Sequence, residues 1–249
     1  MLVVISPAKK LDMTHYDAVE ASLPSFYSKT EELVTVMQAL SSDDIGHLMG
    51  ISANLADLNR ERFARFGTQE KKPAMYAFAG DTYQGLDAKT LADDDLVWAQ
   101  DHLRILSGLY GLLRPLDEIE PYRLEMGSRL ATNRGKNLYE FWGTELTREL
   151  NKTAIKTDTS LLLNCASKEY FSAIDVKSLV LEMVTPVFLE NAASKPKIVS
   201  FYAKKARGAM ARFVMQNKIT TTQELMAFDA GGYAYQPDLS DKQTLYFAR

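Results

Sequence analysis

The sequence predicts an α/β fold of mixed α+β character in a single compact body, and three observations carry that expectation. Short apolar or β-branched runs ("LVVIS" at 2–6, "SLLLNCAS" at 160–167, "LVLEMVTPVFLE" at 179–190 and "TLYFAR" at the end) alternate with stretches of three- and four-residue apolar spacing, the pattern of strands interleaved with helices. Apolar residues make up 46% of the 249 and charged ones 24%, which suffices for one sizeable core. No internal repeat, low-complexity run or linker divides the chain, so residues 1–249 are expected to form one domain.

The elements follow in order. "LVVIS" reads as a buried strand stopped by Pro7, which places Lys9 and Lys10 in a loop at its carboxyl end. Residues 25–40 and 42–66 have helical spacing, with Ser41 or Ser42 as N-cap. Gly50 costs the second stretch roughly 1 kcal/mol against Ala, so a hairpin between two helices is expected there. "AMYAFAGDTYQGLDA" (74–88) begins like a strand and ends at Gly80-Asp81 in a polar loop. Residues 103–127 start as a short apolar run and continue through Gly108, Gly111, Pro115 and Pro121 as a long structured loop or a set of short turns, rich in Arg and Tyr. Residues 137–150 read as a helix, 160–167 as a buried strand, and 179–190 and 195–203 as two further strands. Pro186 makes the first of these a candidate edge. Residues 202–217 read as a helix and "TLYFAR" as a closing strand.

Composition narrows the function classes. The net charge of −3, from 29 Lys and Arg against 32 Asp and Glu, disfavours a polyanion partner only as an average, and the distribution has to decide. Cys165 stands alone, so no intrachain disulfide forms and a reducing compartment suits the chain. The N-terminus lacks the features of a signal peptide, and no stretch reaches the ~20 apolar residues of a membrane span. The expectation is a cytoplasmic protein with no membrane partner; a monomer is the favoured state.

The helix at 202–217 carries the clearest signal. At 100° per residue, Tyr202, Ala206, Ala209, Met210, Phe213 and Val214 share one arc, while Lys204, Lys205 and Arg212 lie opposite with Arg207 beside them. That face holds four cations and no acid, an arrangement that points to an external anion, with a merely solvated basic helix as the bland alternative. Gly208 and Ala211 on the same side leave room for a backbone or a phosphate. Arg104, Arg114, Arg123 and Arg129, interleaved with Tyr110 and Tyr122, offer forks for phosphate and faces for bases; alternatively they hold an irregular loop together. Lys9, Lys10 and Lys168 follow apparent strands, where open α/β sheets bind ligands.

The stretch "LMGISANLADL" (48–58) fits a helix-hairpin-helix-like element at about 42–66, with Gly50, Ile51 and Ser52 as the hairpin whose N–H groups would face a phosphate. Two departures stand against it: Ser52 replaces the usual second glycine, and Asp43, Asp44 and Asp57 surround the turn. An ordinary helical hairpin fits as well. Enzymatic signals are weaker. The Ser6-x-x-Lys9 spacing contains Pro7, Cys165 lies in an apolar run, His15, His47 and His102 are scattered, and no nucleotide-loop or Cys/His motif occurs, so no catalytic residue, metal site or cofactor is assigned.

Taken together, "ISPAKKL", "YAFAGDTYQGL", "LSGLYGLLRPLDEIEPYRLEMG", "NLYEFW", "LLNCASKEYF" and "FYAKKARGAMARF", spread over residues 5–213, resemble the YaaA peroxide-stress protein family. The resemblance implies a cytoplasmic bacterial protein of mixed α/β fold with a positively charged cleft, a helix-hairpin-helix-like element and binding to double-stranded DNA. It further implies a role in resisting hydrogen peroxide by limiting harm from unincorporated iron. Carried onto this chain, the cleft candidates are Lys9, Lys10, Arg104, Arg114, Arg123, Lys168, Lys204, Lys205, Arg207 and Arg212, with the hairpin at Gly50, Ile51 and Ser52. The function expected is largely sequence-independent DNA binding. The rival is an enzyme acting on a phosphorylated or nucleic-acid substrate in the same cleft, with Asp81 or Lys9 supplying the chemistry; a third possibility is an iron- or protein-binding partner.

Overall fold

The structure, a computed structural model, describes residues 1–16, 20–191 and 196–249. Its strands are β1 (Leu2–Ile5), β2 (Lys72–Pro73), β3 (Leu103–Ser107), β4 (Gly111–Leu113), β5 (Glu118–Ile119), β6 (Leu161–Cys165), β7 (Glu182–Leu189), β8 (Ala234–Tyr235) and β9 (Thr244–Ala248). Its helices are α1 (Tyr27–Gln38), α2 (Ser42–Met49), α3 (Ala53–Ala64), α4 (Ala74–Ala77), α5 (Asp81–Leu86), α6 (Asp93–His102), α7 (Leu138–Trp142), α8 (Glu145–Lys156), α9 (Lys168–Phe171), α10 (Ser200–Asn217) and α11 (Thr222–Leu225).

Seven strands form one sheet in the order β4-β3-β1-β6-β7-β9-β8, while β2 and β5 pair separately. β1 lies parallel to β3 on one side and to β6 on the other; β6–β7 and β7–β9 are also parallel, and the antiparallel strands β4 and β8 close the edges. Leu2, Val3, Val4 and Ile5 are fully buried, as an unbroken apolar run must be when both faces of a parallel strand are covered. The chain leaves β1 on one side to build β3 and comes back on the other as β6. The strand order therefore reverses at β1, the place where open α/β sheets form a crevice beyond their carboxyl ends. The buried apolar residues make one cluster from Met1 to Phe247. No helix among the described residues is long and apolar enough to cross a membrane.

The helical hairpin forms where the glycine predicts it. Ser41 caps α2 through a reciprocal bond with Asp44, and Gly50 ends the helix in a left-handed conformation at φ 59° and ψ 48°, which glycine adopts without a Cβ penalty. Gly46 and Ala56 meet where α2 and α3 cross, a Cβ on Gly46 lying 3.7 Å from that of Ala56.

Four expectations need correction. Residues 74–77 form one turn of helix, not a strand, because the N–H groups of Ala74 and Met75 bond the loop carbonyls of Asp117 and Pro115; a short apolar run does not separate the two states. The expected helix at 137–150 is two helices, α7 and α8, broken at Gly143, whose φ is +50°. β7 is an interior strand. Thr185 donates toward the β9 side, so the alternation turns the missing donor of Pro186 toward β6, beyond the last β6–β7 pair at Leu163 and Val184. The strand expected at 195–203, whose first residue lies outside the described residues, reduces to a single bridge between Lys197 and Glu190 before α10 begins at Ser200, since β6 and β9 occupy the two edges of β7.

α10 runs against β1, β6 and β7 and crosses α5 in backbone contact. A Cβ on Gly208 would lie 1.7 Å from the Thr82 carbonyl oxygen, and one on Gly85 would lie 1.9 Å from that of Lys205. The room expected beside Gly208 is thus taken by α5, and Ala211 is fully buried. Of the apolar arc, Ala206, Met210 and Val214 are buried and Tyr202 is 42% exposed, while the buried face of α10 also takes in Ala203, Gly208, Ala211 and Met215. We predict that Gly208→Ala, which forces two backbones apart, destabilises the protein by about 3 kcal/mol and lowers Tm by roughly 6–12 °C in thermal unfolding. An unchanged Tm would contradict the interlock.

Candidate functional site

A cavity of about 460 Å³ opens at the carboxyl ends of β1 and β6. Its floor is a pair of serines that follow the two strands. The Ser167 N–H donates to Ser6 Oγ at 2.8 Å, and the hydroxyls lie 3.3 Å apart. Each serine follows a buried parallel strand, so a side-chain bond ties the strand ends together where the ladder stops. Tyr83, on α5, donates from its hydroxyl to the Ser6 carbonyl at 3.1 Å. Burial holds the phenols of Tyr83 and Tyr170 well above their ordinary range, so the walls present neutral rings. Gly80 brings the start of α5 against the loop after β1, with room for a Cβ only 3.1 Å from that of Ala8.

Cations reach this cavity from two directions. Lys9 and Lys10 come from the loop after β1, and Lys204 and Arg207 from α10. Among the described residues, none of Lys10, Lys204 and Arg207 lies within 4.0 Å of a carboxylate oxygen. Lys9 is paired with Glu125 at 3.2 Å. Two acids share the lining, Asp81 and Glu169. Glu169 accepts the Gly127 N–H at 3.0 Å, while the Asp81 carboxylate takes no hydrogen bond or ion pair from the described residues. Cys165 lies on the floor, and burial pushes its thiol up to about 12 despite the opposing pull of Arg207. A neighbouring cavity of about 430 Å³ shares Lys10, Gly80, Asp81 and Tyr83. Its Asp12 lies 3.8 Å from Lys72 and 3.7 Å from Lys89.

The remaining candidates divide by what they bond. Arg104 is 6% exposed and donates to the carbonyls of Gln100 and Leu103 at 3.0 and 2.8 Å; burial pulls its guanidinium down to about 10. Arg114 is engaged by Asp117 at 2.8 Å and by the Leu23 carbonyl. Arg123 shares Glu125 with Lys9. These three hold the irregular segment and its neighbours in place, the second of the two roles open to them. Lys168 opens α9 at the surface beside the cavity without lining it. Lys205 and Arg212 lie across the α5 crossing, in another cavity, so the four cations of α10 are split two and two. Arg212 closes the carboxyl end of α5, donating to the carbonyls of Leu86 and Asp87 at 3.1 and 2.7 Å. Gly50, Ile51 and Ser52 form the turn between α2 and α3, and no residue of 41–66 lines the cavity.

The sequence pointed to Lys9, Lys10, Lys204, Arg207 and Asp81 and left out Tyr83, Tyr170, Ser167 and Glu169. Ser167 had a usable signal, since it follows a buried strand just as Ser6 does. Tyr83 had none, because its placement depends on the α5–α10 contact.

Residues 1–239 match the family described as peroxide stress protein YaaA. The chain is 53% identical to a UPF0246 protein of Ruegeria pomeroyi over 100% of this chain and 98% of the relative. It is 53% identical to one of Dinoroseobacter shibae, covering 100% and 95%, and 54% identical to one of Roseobacter denitrificans, covering 100% and 98%. The cavity lined by Lys9, Lys10, Lys204 and Arg207 at the reversal of a parallel sheet is thus found in a chain that belongs to the YaaA peroxide-stress protein family.

Proposed function

We propose that the protein acts in the peroxide-stress response by binding duplex DNA, largely without sequence specificity, through the cations at the carboxyl ends of β1 and β6. The observation that carries this reading is the unpaired state of Lys10, Lys204 and Arg207 around one cavity. Cations brought together without carboxylate partners repel one another, and an external polyanion relieves that repulsion while releasing its own counterions. Their targets are backbone phosphates, which carry no sequence information. In this reading, harm from unincorporated iron is limited at the DNA, by occupancy of its backbone.

A second reading, an enzyme acting on a phosphorylated or nucleic-acid substrate, is favoured by the unpartnered carboxylate of Asp81 beside the serine hydroxyls in a concave cavity of substrate size. Turnover of nicked, branched or damaged duplexes that Asp81→Asn abolishes while leaving binding intact would establish it.

Two predictions follow from the site. Three phosphate contacts give a slope of log affinity against log salt of about −3, and Lys204→Glu with Arg207→Glu should make that slope shallower by about 2 and weaken all sequences alike. Duplex retention indifferent to these reversals would refute the assignment. The raised thiol of Cys165 separates the stress role from thiol chemistry. Iodoacetamide at pH 8 should alkylate the native protein at least about a hundredfold more slowly than the chain unfolded in urea, and comparable rates would show a reactive cysteine.

A further inference from the structure

A cavity of about 580 Å³ lies on the far side of the α5–α10 crossing and is not part of the site above. Phe201 and Tyr202, consecutive on α10, are 50% and 42% exposed, and their rings meet edge to face at 5.4 Å. Two neighbouring exposed rings at the mouth of a cavity form an apolar patch of the kind that marks ligand-binding grooves. Opposite them, the Arg249 guanidinium lies 4.8 Å from the Tyr202 ring and 4.6 Å from the Tyr233 ring. Glu190 at 3.1 Å and the Gly231 carbonyl at 2.7 Å hold it there, so the aromatic wall is rigid and its cation neutralised.

Polar groups in the same cavity complete a pattern. Lys205 lies within 4.0 Å of no carboxylate oxygen among the described residues, which leaves one uncompensated positive charge. Gln84 and Gln216 both line the cavity, and neither side-chain amide is bonded within the described residues. A carboxamide offers donor and acceptor side by side, matching the edge of a nucleobase. Aromatic faces for a planar ring, free amides for its edge and one ammonium for an anion together describe a nucleotide.

We infer that this cavity is a second binding site, which takes a nucleobase carrying a phosphate, its ring stacked on Phe201 with Tyr202 against its edge and its phosphate on Lys205. The chemistry is shared by a free nucleotide and by an unpaired strand. The site needs no duplex in the β1–β6 cavity, so it stands or falls separately from the proposed function.

Calorimetric titration with dAMP tests it. Deoxyadenosine and inorganic phosphate should each bind at least about tenfold more weakly than dAMP, and Phe201→Ala and Lys205→Ala should each weaken dAMP about tenfold with Tm unchanged. Single-stranded (dA)12 bound more tightly than dAMP, with the same loss in Phe201→Ala, assigns the site to an unpaired strand; equal or weaker binding assigns it to the free nucleotide. If Phe201→Ala leaves dAMP binding intact while Arg207→Ala removes it, the nucleotide sits in the β1–β6 cavity and the inference is overturned. Phosphate binding as tight as dAMP overturns it too.

Discussion

The architecture of the site depends on one contact: α5 and α10 cross with a glycine on each side and no side chain between them. Gly85 meets the Lys205 carbonyl and Gly208 meets the Thr82 carbonyl, which fixes the two backbones at a separation no larger residue permits. Asp81 and Tyr83 precede Gly85 on one helix, and Lys204 and Arg207 precede Gly208 on the other. Closing the helices therefore sets all four side chains around the ends of β1 and β6. The same contact sends Lys205 and Arg212 to the opposite side, where a second, more aromatic cavity forms.

Charge in this protein is sorted by use. Arginines of the 103–127 segment end on carbonyls and carboxylates, where a planar fork can satisfy several acceptors of an irregular loop at once. Lys10, Lys204 and Arg207 lack such partners among the described residues, whereas Lys9 is paired with Glu125. A net charge of −3 is compatible with a cavity lined by four cations and two acids, because many other acids are engaged away from it, at caps such as Asp44 and in pairs such as Glu32 with Arg134.

Local signals in the sequence foretold the elements that local physics decides. β1, β6 and β9 were visible as apolar runs, Ser41 as a cap, and Gly50 as a hairpin, because each follows from propensity or from a dihedral only glycine takes easily. Pro186 misled because its missing N–H matters only on the side where the ladder continues, and the sequence does not show where β6 stops. Residues 74–77 misled because capping by distant loop carbonyls decides between helix and strand there. For the site, the cationic composition of α10 was legible, but its division by α5 was not. Gly208 signalled a close approach without saying what approaches, and the fate of Arg104, Arg114 and Arg123 required knowing which carbonyls the loop leaves open.

The most direct test of the central claim, that unpaired cations at the β1–β6 strand ends receive backbone phosphate, is a side-chain nitrogen NMR titration with a short duplex. The Nε–H resonance of Arg207 should shift saturably with added DNA while that of Arg104, already bonded to carbonyls, stays in place. Binding with Arg207 unmoved would contradict the account.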